Sequence, residues 1–191
     1  MDEINPYAPP VADLEAGAVT STQPPFFAVS PLKLVVMSLA TFGYYVVYWH
    51  YRQWKAIRAA EKLKLWSFAR ALFFPLTGFE LYPKLQKASE DEGFRLRWQG
   101  WMLAVAAILV NILNWISGAI KDELPVLNAA WVLAIVPPFI AQFAIQAVHA
   151  RVVPEVDQNT RLTLWNIPWL ALGLFFWLVL GLRYIPYSHP R

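Results

Sequence analysis

The sequence predicts an all-α membrane protein, a bundle of four transmembrane helices with amphipathic and interfacial helices on the cytoplasmic side. Three observations carry this reading. The 191 residues are 58% hydrophobic and only 15% charged, where soluble domains run near 45–50% apolar and about 25% charged. Several stretches of near-membrane length carry no charge. Ten of the 16 Lys and Arg fall in the block 52–97, which leaves little basic charge elsewhere. The same composition excludes other classes. Bulk disorder needs low hydrophobicity and high net charge. Zero Cys excludes a disulfide scaffold, a thiolate metal site and cysteine catalysis. A net charge of +3 is too small to imply nucleic acid as a partner.

Residues 1–29 read as an extended, poorly ordered tail, because Pro6, Pro9, Pro10, Pro24 and Pro25 punctuate it. The tail is acidic and lacks an apolar core, so no secretory signal is expected there. A crossing helix needs about 20 mostly apolar residues to traverse a core of about 30 Å. Residues 30–51 meet that need as span one, with Ser30 as N-cap and an aromatic end of Tyr44, Tyr45, Tyr48, Trp49 and Tyr51 at headgroup level.

Residues 52–99 form the cytoplasmic segment. Within it, 66–82 is apolar around Phe73 and Phe74 but holds Arg70, Glu80 and a break at Pro75 and Gly78. A charge at a bilayer centre costs about 2.5–3.5 kcal/mol on insertion scales, so an interfacial or shallow re-entrant hairpin is expected rather than a fifth span. Ser67 reads as the N-cap of its helix, and Glu90, Asp91 and Glu92 as a charged helix start. Residues 100–185 hold spans two to four, over 101–120, 126–148 and 168–182, and 186–191 form a short C-terminal tail. Pro137 and Pro138 predict a kink within span three.

Basic residues mark the cytoplasmic side. With 52–97 inside, four spans put both termini outside the cytoplasm, in a multi-pass inner-membrane protein. Five spans would divide the basic block between the two sides, against the rule.

Arg52, Lys55, Arg58 and Lys62 fall at spacings of three, three and four, one stripe of a helix leaving the membrane. Such a stripe suits anionic lipid headgroups or a protein partner, with a second copy of the chain as an alternative. Asn111 and Asn114 share a face of span two, and Gln142 and Gln146 share a face of span three. Amides in lipid need partners, so these two faces are expected to join adjacent helices. His50 and His149 lie at cytoplasmic helix ends and are expected to be solvated rather than metal-bound. No catalytic set, phosphate loop or metal motif is present, so no catalytic residue, metal or cofactor is assigned.

The run Phe27, Val29, Ser30, Lys33, Leu34, Met37 and Ser38, then Thr41, Gly43, Tyr45, Tyr48, Trp49 and Trp54, followed by Arg70, Ala71, Phe73 and Pro75, resembles a group of bacterial multi-pass membrane proteins without assigned activity. The resemblance covers roughly residues 26–85 and implies a bacterial inner-membrane location. It brings no functional residue with it. The function expected is a non-enzymatic accessory or scaffold protein whose basic cytoplasmic face contacts anionic lipid or a partner. The alternative is a small transporter or channel component using the amide faces of spans two and three, with a water-accessible cavity between them.

Overall fold

A computed structural model describes residues 26–93, 95–120, 131–152 and 159–183. The expectations for residues 1–25, for the start of span three and for the C-terminal tail lie outside these residues. Among the described residues all regular structure is helical: α1 (Pro31–Ala40), α2 (Tyr44–Ala60), α3 (Ser67–Leu72), α4 (Phe74–Asp91), α5 (Gly100–Ile120), α6 (Val136–Val152) and α7 (Ile167–Arg183). Two helices are long and apolar enough to cross a membrane, with windows at Gly100–Ser117 and Trp131–Val152. Only 28% and 44% of these windows are buried, which is not how the core helix of a soluble domain sits. Leu109, Ile112, Trp115 and Ile116 of α5, Phe143 of α6 and Leu174, Phe175 and Leu178 of α7 all face outward.

The segment read as span one is not one helix. It is a hairpin of α1 and α2. Ser30 caps α1 as expected, its hydroxyl accepting from Lys33 N at 3.1 Å. The helix then closes after Ala40, where Gly43 N donates to Ser38 O at 2.8 Å and Phe42 N to Leu39 O at 3.4 Å. That pair of bonds is the Schellman arrangement, which requires a left-handed residue just beyond the cap. Phe42 adopts it at φ 52°, and Gly43 follows at φ 85°. A phenylalanine in this conformation is strained by about 1–2 kcal/mol, and its surroundings hold it there. Its ring lies 4.4 Å from Trp177, 5.6 Å from Trp131 and 6.3 Å from Phe176, centroid to centroid.

The chain reverses at this tip, and the two ends of the segment meet. Gln53 accepts from Phe27 N and donates to Phe27 O, both at 2.9 Å. A straight helix over 30–51 would hold its ends about 30 Å apart at 1.5 Å per residue. Residues 26–29 and the basic half of α2 therefore lie together at the base of the hairpin, and 30–51 is not the single helix expected for span one.

The segment 66–82 is a helical hairpin too, built from α3 and the first half of α4. Its two charges, counted separately as costs in the sequence, neutralise each other through an Arg70–Glu80 ion pair. The Arg70 guanidinium also lies 4.4 Å from the Trp54 ring centroid. Ser67 is not a cap. It is the first residue of α3, with Trp66 in the cap position and making no side-chain cap bond. Glu90 and Asp91 end α4 and Glu92 caps it, rather than opening a helix. Pro137 and Pro138 are the second and third residues of α6, after a 3-10 turn over 131–135. The first turn has no intrahelical use for its N–H groups, so these prolines start a helix instead of kinking one.

α4 and α5 pack antiparallel as the most extensive helix pair in the fold. Gly100 meets the backbone of Tyr82 and Pro83, and Gly78 faces Ala104 one turn further along. α7 runs beside α1, with Trp169 near Tyr48 and the Trp177 indole donating to Leu39 O at 3.2 Å. The core between these helices centres on Trp49, Trp54, Ile57, Leu81, Tyr82 and Leu85, with Leu34 and Met37 of α1.

Candidate functional site

At the base of the hairpin, residues 26–29 form an extended strap. Its backbone is satisfied by side chains rather than by a sheet. Phe27 is held on both groups by Gln53, Phe26 O accepts from His149 Nε2 at 2.9 Å, and Val29 O accepts from Gln146 Nε2 at 3.3 Å. Unpaired buried amides and carbonyls would be costly here, so the side chains of α2 and α6 replace a missing β partner. Gln142 also turns to α2, its Oε1 accepting from Trp49 Nε1 at 2.7 Å.

These bonds correct the expected amide pairing. Gln142 and Gln146 bind α2 and the strap, not span two, while Asn111 folds onto its own helix and donates to Ala107 O at 2.8 Å. Asn114 is half-buried on α5. A cavity of about 340 Å³ lies between α6 and the segment preceding α5, lined by Leu96, Trp98, Phe139, Ile140, Phe143 and two alanines and by none of the four amides.

The histidines are corrected as well. His50 is fully buried, its Nδ1 donating to Val46 O at 2.9 Å while Nε2 faces the Tyr82 hydroxyl at 3.5 Å. Burial pushes the Tyr82 phenol well above its usual value, so the hydroxyl keeps its proton. His149 is buried against the strap. Both rings serve packing and backbone satisfaction.

The basic stripe is present but divided. Arg52 turns inward, donating to the Tyr48 hydroxyl at 2.8 Å with its guanidinium 4.2 Å from the Phe27 ring centroid. Lys55 and Arg58 are exposed on the last turns of α2. Lys62 leaves the stripe, because a second Schellman closure, Leu63 N to Arg58 O at 3.2 Å, puts it beyond the helix in the left-handed region at φ 51°. Glu61, which interrupts the apolar flank in sequence, pairs with Lys84 Nζ at 2.7 Å.

Three clefts open along this face. Arg52 lines the first, of about 490 Å³, with Lys33, Tyr45, Tyr48, Thr163 and Asn166. Arg52 and Lys55 both line the second, of about 540 Å³, beside the strap and His149. Lys55 and Arg58 line the third, of about 470 Å³, against Trp66, Ser67 and Phe68. Lys33 and Gln53 were missed by sequence reasoning. Lys33 is buried and donates to Asn159 Oδ1 at 2.8 Å and Arg161 O at 2.7 Å, tying α1 to the segment that leads into α7. It is the only charge between Phe26 and Tyr51, and that isolation was its signal. Gln53 had none, since an amide beside Arg52 and Trp54 looks like surface.

No family model, curated protein or solved structure matches the chain. The functional reading therefore stands on the geometry alone.

Proposed function

We propose that this is an integral, non-enzymatic membrane protein of accessory or scaffold type, whose basic face holds anionic lipid headgroups on the cytoplasmic side of a bacterial inner membrane. The observation that carries the reading is the run of clefts along α2, with Arg52, Lys55 and Arg58 at their walls and an outward-facing apolar surface directly beside them. Lipid is the solvent such a surface suits, since soluble monomers rarely expose large contiguous apolar patches. Basic residues near anionic headgroups each contribute about 1 kcal/mol, lost within a Debye length or at high salt.

The hairpin revises the topology that goes with this function. Three helices, α5, α6 and α7, cross, while α1–α2 and α3–α4 enter and leave on the basic side. α1, at 10 residues, reaches about 15 Å, half the hydrocarbon core. Residue 26 then shares the cytoplasmic side with Arg58, and the end of α7 lies opposite. The cysteine-free chain makes this measurable. Single cysteines at Ser30, Ala59 and Glu92 should all react with a membrane-impermeant thiol reagent from the cytoplasmic side, in inverted vesicles. Reaction of the Ser30 position from the periplasmic side alone would restore a four-span chain.

The lipid reading has its own measurement. Changing Arg52, Lys55, Arg58 and Lys62 together to Gln should weaken retention of anionic over zwitterionic lipid in nanodiscs by at least about tenfold at low salt. An unchanged lipid preference would remove the function proposed here.

A further inference from the structure

The geometry points to a discrete site for one anionic glycerophospholipid in the cleft between the end of α2 and the start of α3. This rests on the lipid reading above and narrows it from a charged face to a built pocket. The cleft holds about 470 Å³ and is walled by Tyr51, Lys55, Arg58, Trp66, Ser67 and Phe68. Lys55 and Arg58 are three apart on one helix, so both reach the same side one turn from each other. An arginine fork and a lysine point charge together suit the oxygens of a phosphate diester.

Ser67 supplies the independent observation. It is 4% exposed, and its buried Oγ has no hydrogen-bond partner. A hydroxyl buried without a partner is costly and needs an explanation. Ser67 lines the cleft beside the two cations, and its hydroxyl, turned toward a bound phosphate, would donate its proton to a phosphate oxygen. Ser67 does not repay its burial as a cap, because it is already inside α3.

The walls select a lipid over a free anion. Tyr51 and Trp66 are the amphipathic rings favoured at headgroup depth. Beyond Phe68 an outward-facing apolar row continues through Leu72, Phe73 and Leu76, a path for acyl chains down the α3–α4 hairpin. The charge of the walls selects an anionic headgroup. None of the lining residues is acidic, and the nearby carboxylates are engaged, Glu61 with Lys84 and Glu80 with Arg70. A choline or ethanolamine cation would meet Lys55 and Arg58 with nothing to balance it.

The test is native mass spectrometry of the full chain in detergent, titrated separately with phosphatidylglycerol, phosphatidylcholine and inorganic phosphate. One phosphatidylglycerol should bind ahead of the rest. Lys55→Gln with Arg58→Gln should weaken that first binding by at least about tenfold, and Ser67→Ala by about tenfold with no loss of thermal stability, since it removes an unsatisfied group. The control is Lys87→Gln with Arg95→Gln, an equal loss of exposed charge elsewhere in the basic block, which should leave the first binding unchanged. If both double variants weaken binding equally, the charged face stands and the discrete site falls. If neither does, both readings fall. Competition by inorganic phosphate at the same concentrations as lipid would overturn the lipid assignment in favour of a free phosphate site.

Discussion

Gly173→Ala should detach α7 from the hairpin and lower stability by about 3 kcal/mol or more, read as a large drop in the detergent melting temperature. A Cβ at Gly173 would sit 1.8 Å from Ala40 O and 2.7 Å from Ala40 C. Both are backbone atoms, so no rotamer relieves the contact, and overpacking that must move backbone costs at the high end of about 1–3 kcal/mol or beyond. The sign makes the measurement decisive. In an unpacked helix the same change would stabilise by about 0.8–1.0 kcal/mol, because alanine is the better helix former. The contact lies at the last carbonyl of α1. One residue before it, Leu39 O accepts a second bond from the Trp177 indole, whose ring packs on Phe42 at 4.4 Å. Pushing α7 away therefore also removes the support that keeps Phe42 in its left-handed conformation. The neighbouring Leu172→Ala, on the outward face, should stay within about 0.5 kcal/mol. A Gly173→Ala protein as stable as the parent would show that α7 does not pack on the hairpin.

Gly100→Ala should be nearly as damaging, by about 3 kcal/mol, and it acts on the other side of the molecule. The added Cβ would lie 2.5 Å from Pro83 N and 2.7 Å from both Pro83 Cα and Tyr82 C. α4 and α5 touch backbone to backbone here, and the Gly100 N–H donates to Gln86 Oε1 at 2.7 Å. Separating them would open the cover over Tyr82 and His50, both fully buried. The loss should appear as unfolding at lower temperature together with faster hydrogen exchange in 74–91 and the first turns of α5. Exchange that stays slow in both segments would mean the close approach is not needed for the pair.

Much of the local structure was legible because local rules dictate it. Ser30 before Pro31 is a cap followed by a proline at the first helical position, and it behaves so. Residues 101–120 are apolar for long enough to be a membrane-length helix, and α5 occupies them. The concentration of basic residues in 52–97 was legible directly from the chain. The stripe from Arg52 to Arg58 sits on a helix as its spacing requires, and only Lys62 escapes, where Glu61 and Lys62 close the helix.

The candidate site was half legible for the same reason. Lys55 and Arg58 were visible as a periodic pair. Ser67 was visible only as a supposed cap, since the cleft it borders is made by α3 folding back on α2, which no spacing encodes. The amide faces were read correctly as needing partners but not as to which. Gln142 and Gln146 found Trp49 and Val29 O, a side chain and a backbone group more than 90 residues away in the chain.

The sequence by itself determined that the protein is helical, rich in apolar surface and basic in one block of the chain. Those properties follow from composition and from the period of each segment, and no distant contact can alter them. Only the tertiary structure decided that 30–51 turns back instead of running on as one helix. Hydropathy measures how apolar a segment is and carries no information about its direction, so a span and a hairpin of equal composition look the same. The direction is set by a left-handed Phe42 clasped by Trp131, Phe176 and Trp177, and by Gln53 reaching Phe27 across the closed ends. Trp131, Phe176 and Trp177 lie on other segments and Phe27 lies 26 residues from Gln53, and the turn exists because these contacts hold it.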